Sequence, residues 1–330
     1  MARNDANRAS CKRATTIGGQ ALIEGLMMIG PDKQALAVRR PDGSIEVEFL
    51  SKKKALAIEK IPFVRGSVKL FRQMTLGMKA LYRSAELAEA DSAEESAGEA
   101  KQKKSFLDRH PEVFFGLMTV IALALSIGLF ILLPNLITDL LRRLLGYRAA
   151  ELTRSAKVLL TFVEGLVRVV IFLGYLWLTA QNKEVKRVWQ YHGSEHKTIA
   201  CYEAGEALTV DNIKRFSRFH PRCGTSFIFL VLIISVIVFS FAGWHNPLIN
   251  VALRLLLLPL IAGLSYEIIR WAGVSESALA RFISSPGLWL QRLTTAEPDE
   301  AILEVAIQAM EAVLPEDPNS DLWSPKAVKA

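Results

Sequence analysis

The stretch SFIFLVLIISVIVFSFAG, residues 226–243, decides the fold class of this chain. It carries no formal charge, and its length approaches the roughly 20 apolar residues with which a helix crosses the hydrocarbon of a bilayer. Residues 113–133 form a second uncharged stretch of the same kind. A helix at the surface of a soluble domain has a polar face, which both stretches lack. The sequence therefore predicts an integral membrane protein.

Two further apolar stretches, residues 156–178 and 247–269, complete a prediction of four transmembrane helices. The first contains Glu164 and Arg168, and the second contains Arg254. Charged side chains inside a membrane face the protein interior or water. Glu164 and Arg168 are four residues apart, so we expect them to pair. Two interpretations stay open: a structural ion pair within the bundle, or a polar cavity that reaches toward the loop after the second span.

The composition agrees with a membrane protein that has sizeable charged parts. Of 330 residues, 51% are hydrophobic and 22% are charged, with a net charge of +7 and only 3 cysteines. These values exclude a disordered chain, a collagen-like repeat and a disulfide scaffold. Residues 1–112 hold 20 of the 40 Lys and Arg, and residues 181–225 hold eight more.

Orientation follows from this distribution, because cytoplasmic flanks of transmembrane helices retain positive charge. We predict that the N-terminus, the central loop and the C-terminus are cytoplasmic, and that the protein resides in the bacterial cytoplasmic membrane. Residues 134–155 would then lie outside, although they contain Arg142, Arg143, Arg148 and Arg154. The apolar pattern of this loop predicts an amphipathic helix on the outer surface.

The predicted fold class is mainly α: a polytopic membrane protein with about four transmembrane helices, a small N-terminal β unit and an amphipathic interfacial helix. The predicted segments, in chain order, are a disordered basic N-terminus (1–16), the β unit (17–58), a basic amphipathic helix (59–88), a linker (89–109), the four-span membrane domain with a cytoplasmic loop at 181–225 (110–270), C-terminal cytoplasmic helices (271–314) and a loose tail (315–330).

The β unit is predicted from one hairpin pattern. Residues 35–39 and 45–49 flank an Asp-Gly turn at 41–44, with alternating polarity in the second arm. The run at residues 18–25 predicts a packed glycine-rich turn. An alternative for that run directs the Glu24 carboxylate into a site.

The segment from Ile61 to Leu87 alternates apolar and basic residues at helical spacing. Such a helix before a membrane span typically lies among anionic lipid headgroups. RNA is the alternative partner, but no aromatic residues interleave the basic ones as a stacking platform, and no DNA binding is expected. The predicted partners are therefore the lipid bilayer and its anionic headgroups.

The central loop concentrates the residues that can do chemistry. It holds three of the five histidines and two of the three cysteines. His192, Glu195 and His196 form His-x-x-Glu-His, the inverted zincin pattern, in which two histidines bind zinc and the glutamate is the base. At about 100° per residue, a helical wheel also brings Glu203 to within roughly 20° of His192.

A second cluster follows just before the third span. His220 and Cys223 bracket Pro221 and Arg222 at a turn that the membrane would hold near the end of the His192 helix. Thiolate and imidazole are strong ligands of zinc and related metals. The predicted metal ligands are His192, His196, Glu203, His220 and Cys223, with Glu195 as general base and Arg222 as an oxyanion contact. The predicted cofactor is a divalent transition metal, with Zn²⁺ as the leading candidate.

Several blocks of the chain resemble the YqhQ-like family of bacterial membrane proteins, from about Ile17 to Leu314. These blocks are GGQALIEGLMM at 18–28 and the segments 192–206, 220–227, 259–271 and 286–298. The resemblance implies a metal-dependent enzyme in the membrane and supports metal binding by the residues named above. Ile29 departs from the pattern, since family members usually carry arginine after the paired methionines.

The leading hypothesis is a metal-dependent hydrolase at the cytoplasmic membrane surface that cleaves a peptide bond in a membrane protein or a lipid ester. The rival is a non-enzymatic assembly or insertion factor, in which a closed structural metal site helps to hold a ribosome or translocon. The sequence does not distinguish an open catalytic site from a closed structural one. A third hypothesis, transport through the positions of the intramembrane charges, has weaker support, because the four spans show no internal repeat.

Overall fold

The computed structural model describes residues 14–52, 56–96, 111–147, 152–243, 245, 247–275, 277–317 and 320–322. Most of these residues are helical, and one antiparallel sheet of four strands lies near the N-terminus. The predicted fold class is therefore confirmed. Residues 1–13 of the predicted disordered N-terminus and residues 97–109 of the predicted linker lie outside the described ranges.

The sheet is a meander in the order β1-β2-β3-β4, with strands β1 (Gly18–Leu22), β2 (Gly25–Ile29), β3 (Gln34–Arg39) and β4 (Ile45–Phe49). The predicted hairpin is confirmed as β3 and β4. Its turn contains Gly43 at φ 86°, and the Asp42 carboxylate accepts the Ser44 N–H at 2.8 Å.

The prediction of a glycine-rich turn before this hairpin is wrong, because residues 18–29 form a second hairpin. Four of the five residues of β2 are buried, so the strand lacks the alternation that marks a half-exposed strand. Glu24 lies in the tight turn at φ 48° and pairs with Arg187.

Four helices among the described residues are long and apolar enough to cross a membrane, at residues 116–144, 154–179, 224–242 and 248–273. They identify a membrane protein. The first is built from α2 (Pro111–Ile127), a π-helical turn (Gly128–Leu132) and α3 (Leu133–Leu144); the others are α4 (Arg154–Thr179), α7 (Gly224–Ala242) and α8 (Pro247–Val274).

The segment 134–155, predicted as a helix on the outer surface, is helical only in part, and its helical part is not separate from the first span. Its first residues, as α3, continue the first span and pack on α4. The face with Asn135, Thr138 and Arg142 is buried, and Arg142 pairs with Asp139 at 2.7 Å. Packing of this polar face on a neighbouring helix explains the amphipathic pattern.

The basic amphipathic segment forms α1 (Val64–Ser96). It extends through the first residues of the predicted linker, where Ala and Glu favour helix. At its start, α1 lies across α8: Gly66 packs on Tyr266, and Arg65 makes two 2.7 Å hydrogen bonds to the Glu267 carboxylate.

The elements outside the bundle gather at the end where α4 finishes and α7 begins. They are the sheet, α5 (Lys183–Ala204), α6 (Val210–Lys214), α9 (Ala278–Thr294) and α10 (Glu300–Val313). Their shared core packs Leu26 and Met28 of β2 against Tyr191 of α5 and Ile302 and Met310 of α10.

The prediction of a loose tail after residue 315 is wrong at Asp321, which is fully buried. The Thr15 hydroxyl donates to the Asp321 carboxylate at 2.7 Å, and the Thr16 N–H donates to the Asp321 carbonyl at 2.6 Å. The first and last described segments of the chain therefore lie side by side.

Candidate metal centre

Helix α5 positions most of the predicted site residues. The Asn182 side chain caps its start by accepting the Glu184 N–H at 2.8 Å, and Gly205 ends it at φ 74°. In the middle, Gly193 allows a close approach, because a Cβ there would collide with the Ala296 carbonyl oxygen. The Ala296 N–H also donates to the Trp189 carbonyl at 2.8 Å. The segment after α9 is thereby held against residues 192–196.

His192, His196 and Cys223 come together at the contact between α5 and the start of α7. One donor atom from each residue lies within 4.8 Å of the others. The His192 Nε2 is 3.1 Å from the Cys223 Sγ, and the two imidazole centroids are 4.5 Å apart. The three residues are 8%, 2% and 6% exposed. Three buried donors that converge in this way could bind one ion.

Both imidazoles are oriented by backbone carbonyls. The His192 Nδ1 is 2.7 Å from the Thr294 oxygen, and the His196 Nδ1 is 2.6 Å from the Arg218 oxygen. A carbonyl oxygen can only accept, so each Nδ1 carries a proton and donates it. In the neutral ring, which is the form that binds a metal, each Nε2 then has a lone pair. Histidine ligands of metals typically have this second interaction, which fixes the tautomer and the ring direction.

The electrostatics of the cluster favour a thiolate. Burial opposes charge on Cys223, but the His196 and His192 rings outweigh it and hold the pKa of the thiol well below its usual value. Burial likewise opposes charge on His192, but the Cys223 sulfur raises its pKa to about 9. Cys223 is also the N-cap of α7, where its sulfur accepts the Thr225 N–H at 3.4 Å. Positive charge at a helix N-terminus stabilises a thiolate further.

Glu195 lies beside the three donors but outside their 4.8 Å group. The Gly19 N–H of strand β1 donates to its Oε1 at 2.9 Å. Burial raises the pKa of this carboxyl, against the pull of His192 and His196. A glycine is required at position 19, because a Cβ there would press on the Met27 carbonyl oxygen and on the Glu195 carboxyl carbon.

Glu203 and His220, two of the predicted ligands, make a neighbouring network. Glu203 pairs with Arg222, accepts the Thr15 N–H at 2.7 Å and lies 3.5 Å from the His220 Nε2. Burial works against the Glu203 carboxylate, but these partners lower its pKa below the usual value. Burial lowers the pKa of His220. The role of His220 as a ligand, and that of Arg222 at an oxyanion, stay predictions.

The helical wheel misplaces Glu203 for a physical reason. Eleven residues separate it from His192, which at 1.5 Å per residue is roughly 16 Å along the helix axis. A shared angle therefore does not bring the two side chains to one ion. His220 connects the two groups, since its ring centroid is 5.6 Å from that of His196 and its backbone is held by Gln291 through two 2.8 Å hydrogen bonds.

Sequence reasoning missed the groups that orient the cluster. Two of them are backbone carbonyls, of Thr294 and Arg218, and one is the Gly19 N–H. A backbone atom can come from any residue type, so no motif reports it. Only the glycines at 19 and 193 left a signal, as small residues where the chain approaches closely.

The donor set fits a metal ion of the softer divalent kind. Tetrahedral zinc, with bonds of about 2.0 to 2.3 Å, places its donors roughly 3.3 to 3.8 Å apart. The His192 Nε2 and the Cys223 Sγ are 3.1 Å apart, just below that range, and all three donors lie within 4.8 Å of one another. Two imidazoles and one thiolate suit Zn²⁺ or Fe²⁺ better than Mg²⁺ or Ca²⁺.

Four apolar helices and a buried His-His-Cys cluster beside them define an integral membrane protein with a candidate metal centre. The chain belongs to the DUF1385 family, described as proteins of unknown function, whose sequence profile matches residues 61–316. It is 33% identical over 302 residues to the uncharacterised protein YqhQ of Bacillus subtilis (strain 168), which covers 90% of this chain and 92% of that protein. This confirms the family resemblance. No solved structure matches the chain.

Proposed function

We propose that this protein is a membrane-embedded metal-dependent hydrolase whose metal is held by His192, His196 and Cys223. The observation that carries the proposal is the convergence of these donors, with both histidines oriented by backbone carbonyls. Three protein donors leave a tetrahedral ion with one position for water or substrate, as in catalytic zinc sites. A peptide bond in a membrane protein or a lipid ester is the proposed substrate.

Each group of the site has a distinct task in this proposal. A bound divalent ion would polarise the substrate carbonyl and acidify a water molecule. Glu195 would accept a proton from the attacking water, and burial raises the pKa of its carboxyl toward neutrality, where a general base is most effective. The Gly19 N–H holds one oxygen of the Glu195 carboxylate and so directs the other. Arg222, which pairs with Glu203, is the proposed oxyanion contact.

The metal is tested by elemental analysis of the full-length protein purified in detergent. We expect about one transition-metal ion per chain in the wild type and nearly none after His192→Ala or Cys223→Ala. His245→Ala and Cys201→Ala are matched controls, because the first changes an exposed histidine and the second a buried thiol beside the Glu206 and Ala207 carbonyls. The proposal fails if the wild type carries no more metal than the His192→Ala variant.

The base is tested by Glu195→Gln. This variant should keep its metal but lose about 10² to 10⁴ in the rate of ester or peptide hydrolysis, the usual contribution of a general base. The assay uses a chromogenic short-chain ester and fluorescently labelled casein as probes. A Glu195→Gln variant that matches the wild type in both metal content and hydrolysis would remove Glu195 from the reaction.

A structural metal site in a membrane-protein assembly or insertion factor is the second candidate. It is favoured by the burial of the cluster and by the neighbouring sheet, which could hold a ribosome or translocon. Two results together would support this function over the first. The metal-loaded protein would hydrolyse neither probe, and the absorption spectrum of the Co²⁺-substituted protein would show four protein ligands.

The proposed location is the bacterial cytoplasmic membrane, with both termini cytoplasmic and α1 in contact with anionic lipid. Helix α1 packs on α8 at residues inside the span, including Tyr266 and Gly263. Its opposite face exposes Phe71, Met74 and Met78 among basic residues. An exposed apolar face of a helix, bordered by lysines and arginines, is typical of helices that lie in the headgroup region of a membrane.

A further inference from the structure

A charged cluster lies inside the membrane bundle, away from the His-His-Cys site. Glu164 and Arg168 of α4 are joined by a 2.8 Å ion pair, and Arg254 of α8 pairs with the other oxygen of Glu164. Asn135 of α3 donates to that carboxylate at 3.4 Å. Both guanidiniums face the Phe239 ring of α7, at 5.3 and 5.9 Å. All four spans therefore meet at this point.

The π-helical turn in the first span is part of the same arrangement. A π turn breaks the regular hydrogen-bond ladder of a helix and is often found at functional sites. Here the Arg168 Nε donates to the Phe130 carbonyl at 2.8 Å, inside the turn. The first span is thereby shaped to accept a charged side chain.

The cluster has one positive charge more than it has negative charges. It combines two arginines with one glutamate, and the three residues are only 6%, 4% and 1% exposed. In the described part of the chain, the buried Arg254 Nη1 has no hydrogen-bond partner. An unpaired charge of this kind is costly in a membrane interior, and such residues typically mark the path or site of a ligand.

We propose that Arg168 and Arg254 form an intramembrane binding site for a phosphate group, with Arg254 Nη1 as its unsatisfied donor. Guanidinium binds phosphate through several charge-assisted hydrogen bonds. A lipid headgroup is the favoured source. The acyl chain would lie in the groove of about 1020 Å³ between α4 and α7, which is lined by Val158, Phe162 and Val236. The two arginines do not line this groove, but Val236 packs on Gly165, next to Glu164.

Because the cluster has one excess positive charge, two substitutions in it should change phosphate affinity in opposite directions. Arg254→Gln removes the donor and the excess charge, so it should weaken phosphate binding about tenfold, the effect of losing one charged hydrogen bond. Glu164→Gln raises the net charge by one, so it should strengthen binding. A purely structural ion-pair cluster would lose stability in both variants without this reversal. Arg143→Gln, at a 69% exposed side chain, is the matched control.

The test measures the thermal unfolding midpoint of the full-length protein in an uncharged detergent. Dihexanoyl phosphatidic acid, sodium phosphate at constant ionic strength and dihexanoyl phosphatidylcholine are titrated separately. A saturable rise with phosphatidic acid, shifted in opposite directions by Arg254→Gln and Glu164→Gln, supports the lipid source. The same pattern with sodium phosphate alone assigns a free phosphate.

The wild-type titration alone tests binding, so the proposal stays falsifiable if Arg254→Gln does not fold. It is overturned if neither phosphate compound shifts the midpoint more than phosphatidylcholine does. It is also overturned if Glu164→Gln binds more weakly than the wild type, or if Arg143→Gln weakens binding as much as Arg254→Gln.

Discussion

At the scale of single residues, the candidate metal centre depends on two glycines that carry no chemistry. Gly19 brings a backbone N–H to Glu195, and Gly193 lets the Ala296 carbonyl lie on the face of α5. Neither position has room for a Cβ. The donors can converge because the chain around them approaches closely, and packing of this density tolerates little added volume.

Gly193→Ala should therefore destabilise the protein by about 1–3 kcal/mol, the usual cost of overpacking, and reduce its metal content. Gly174→Ala is the matched control, because Gly174 lies in helix α4 and a Cβ there meets nothing within 4 Å. That change should be neutral or stabilising by up to ~1 kcal/mol. Unfolding midpoints and metal content in detergent check both expectations. Equal effects of the two changes would contradict the role of Gly193.

At the scale of elements, the contact of α1 with α8 links the amphipathic helix to a membrane span. Arg65 and Glu267 make a bidentate pair, with side chains only 8% and 20% exposed. Gly263 next to them accommodates the Phe63 carbonyl. A pair so shielded from water is stronger than an exposed one, and bidentate geometry adds to it.

A double-mutant cycle of Arg65→Met and Glu267→Gln should show a coupling energy of about 1–3 kcal/mol. The cycle of Lys214→Met and Glu300→Gln is the comparison, since that pair is 41% and 72% exposed and should couple by about 0–1 kcal/mol. Thermal or denaturant unfolding of the seven proteins, with one wild type shared by the two cycles, provides the energies. A smaller coupling at Arg65 than at Lys214 would mean that α1 is not anchored by this contact.

At the scale of the whole molecule, the described elements outside the bundle share one end of it. The sheet, α5, α9 and α10 lie where α4 ends and α7 begins, and the turn after α3 lies at the opposite end. The proposed topology, with the basic elements on the cytoplasmic side, would place Ser44 inside and Tyr147 outside. Both residues are exposed in the structure.

Single cysteines at these positions test the orientation. A membrane-impermeant maleimide should label Tyr147→Cys in intact cells and Ser44→Cys only after the membrane is permeabilised. Both variants are made in a background without Cys11, Cys201 and Cys223, so only the new thiol reacts. Labelling of Ser44→Cys in intact cells would reverse the proposed topology.

The sequence predicts those features of this molecule that local composition controls. An uncharged apolar run such as residues 226–243 is predictable as a spanning helix from its own composition. The pairing of His192 with His196 is predictable because the two residues are four positions apart on one helix. The β1–β2 hairpin escaped prediction because burial on both faces of β2 removes the alternation. The Thr294 and Arg218 carbonyls escaped it because their positions depend on contacts distant in sequence.

The contact between Thr15 and Asp321 has a consequence for the order in which the protein folds during synthesis. Thr15 reaches Glu203 on one side and Asp321 on the other, so the hydrogen bonds around Glu203 extend to a residue that lies 306 positions after Thr15 in the chain. On the ribosome, α5 and all four spans emerge before Asp321 does. In the nascent chain, the hydrogen bonds around Glu203 therefore stay incomplete until Asp321 has been made, and they close only as the segment that carries Asp321 docks.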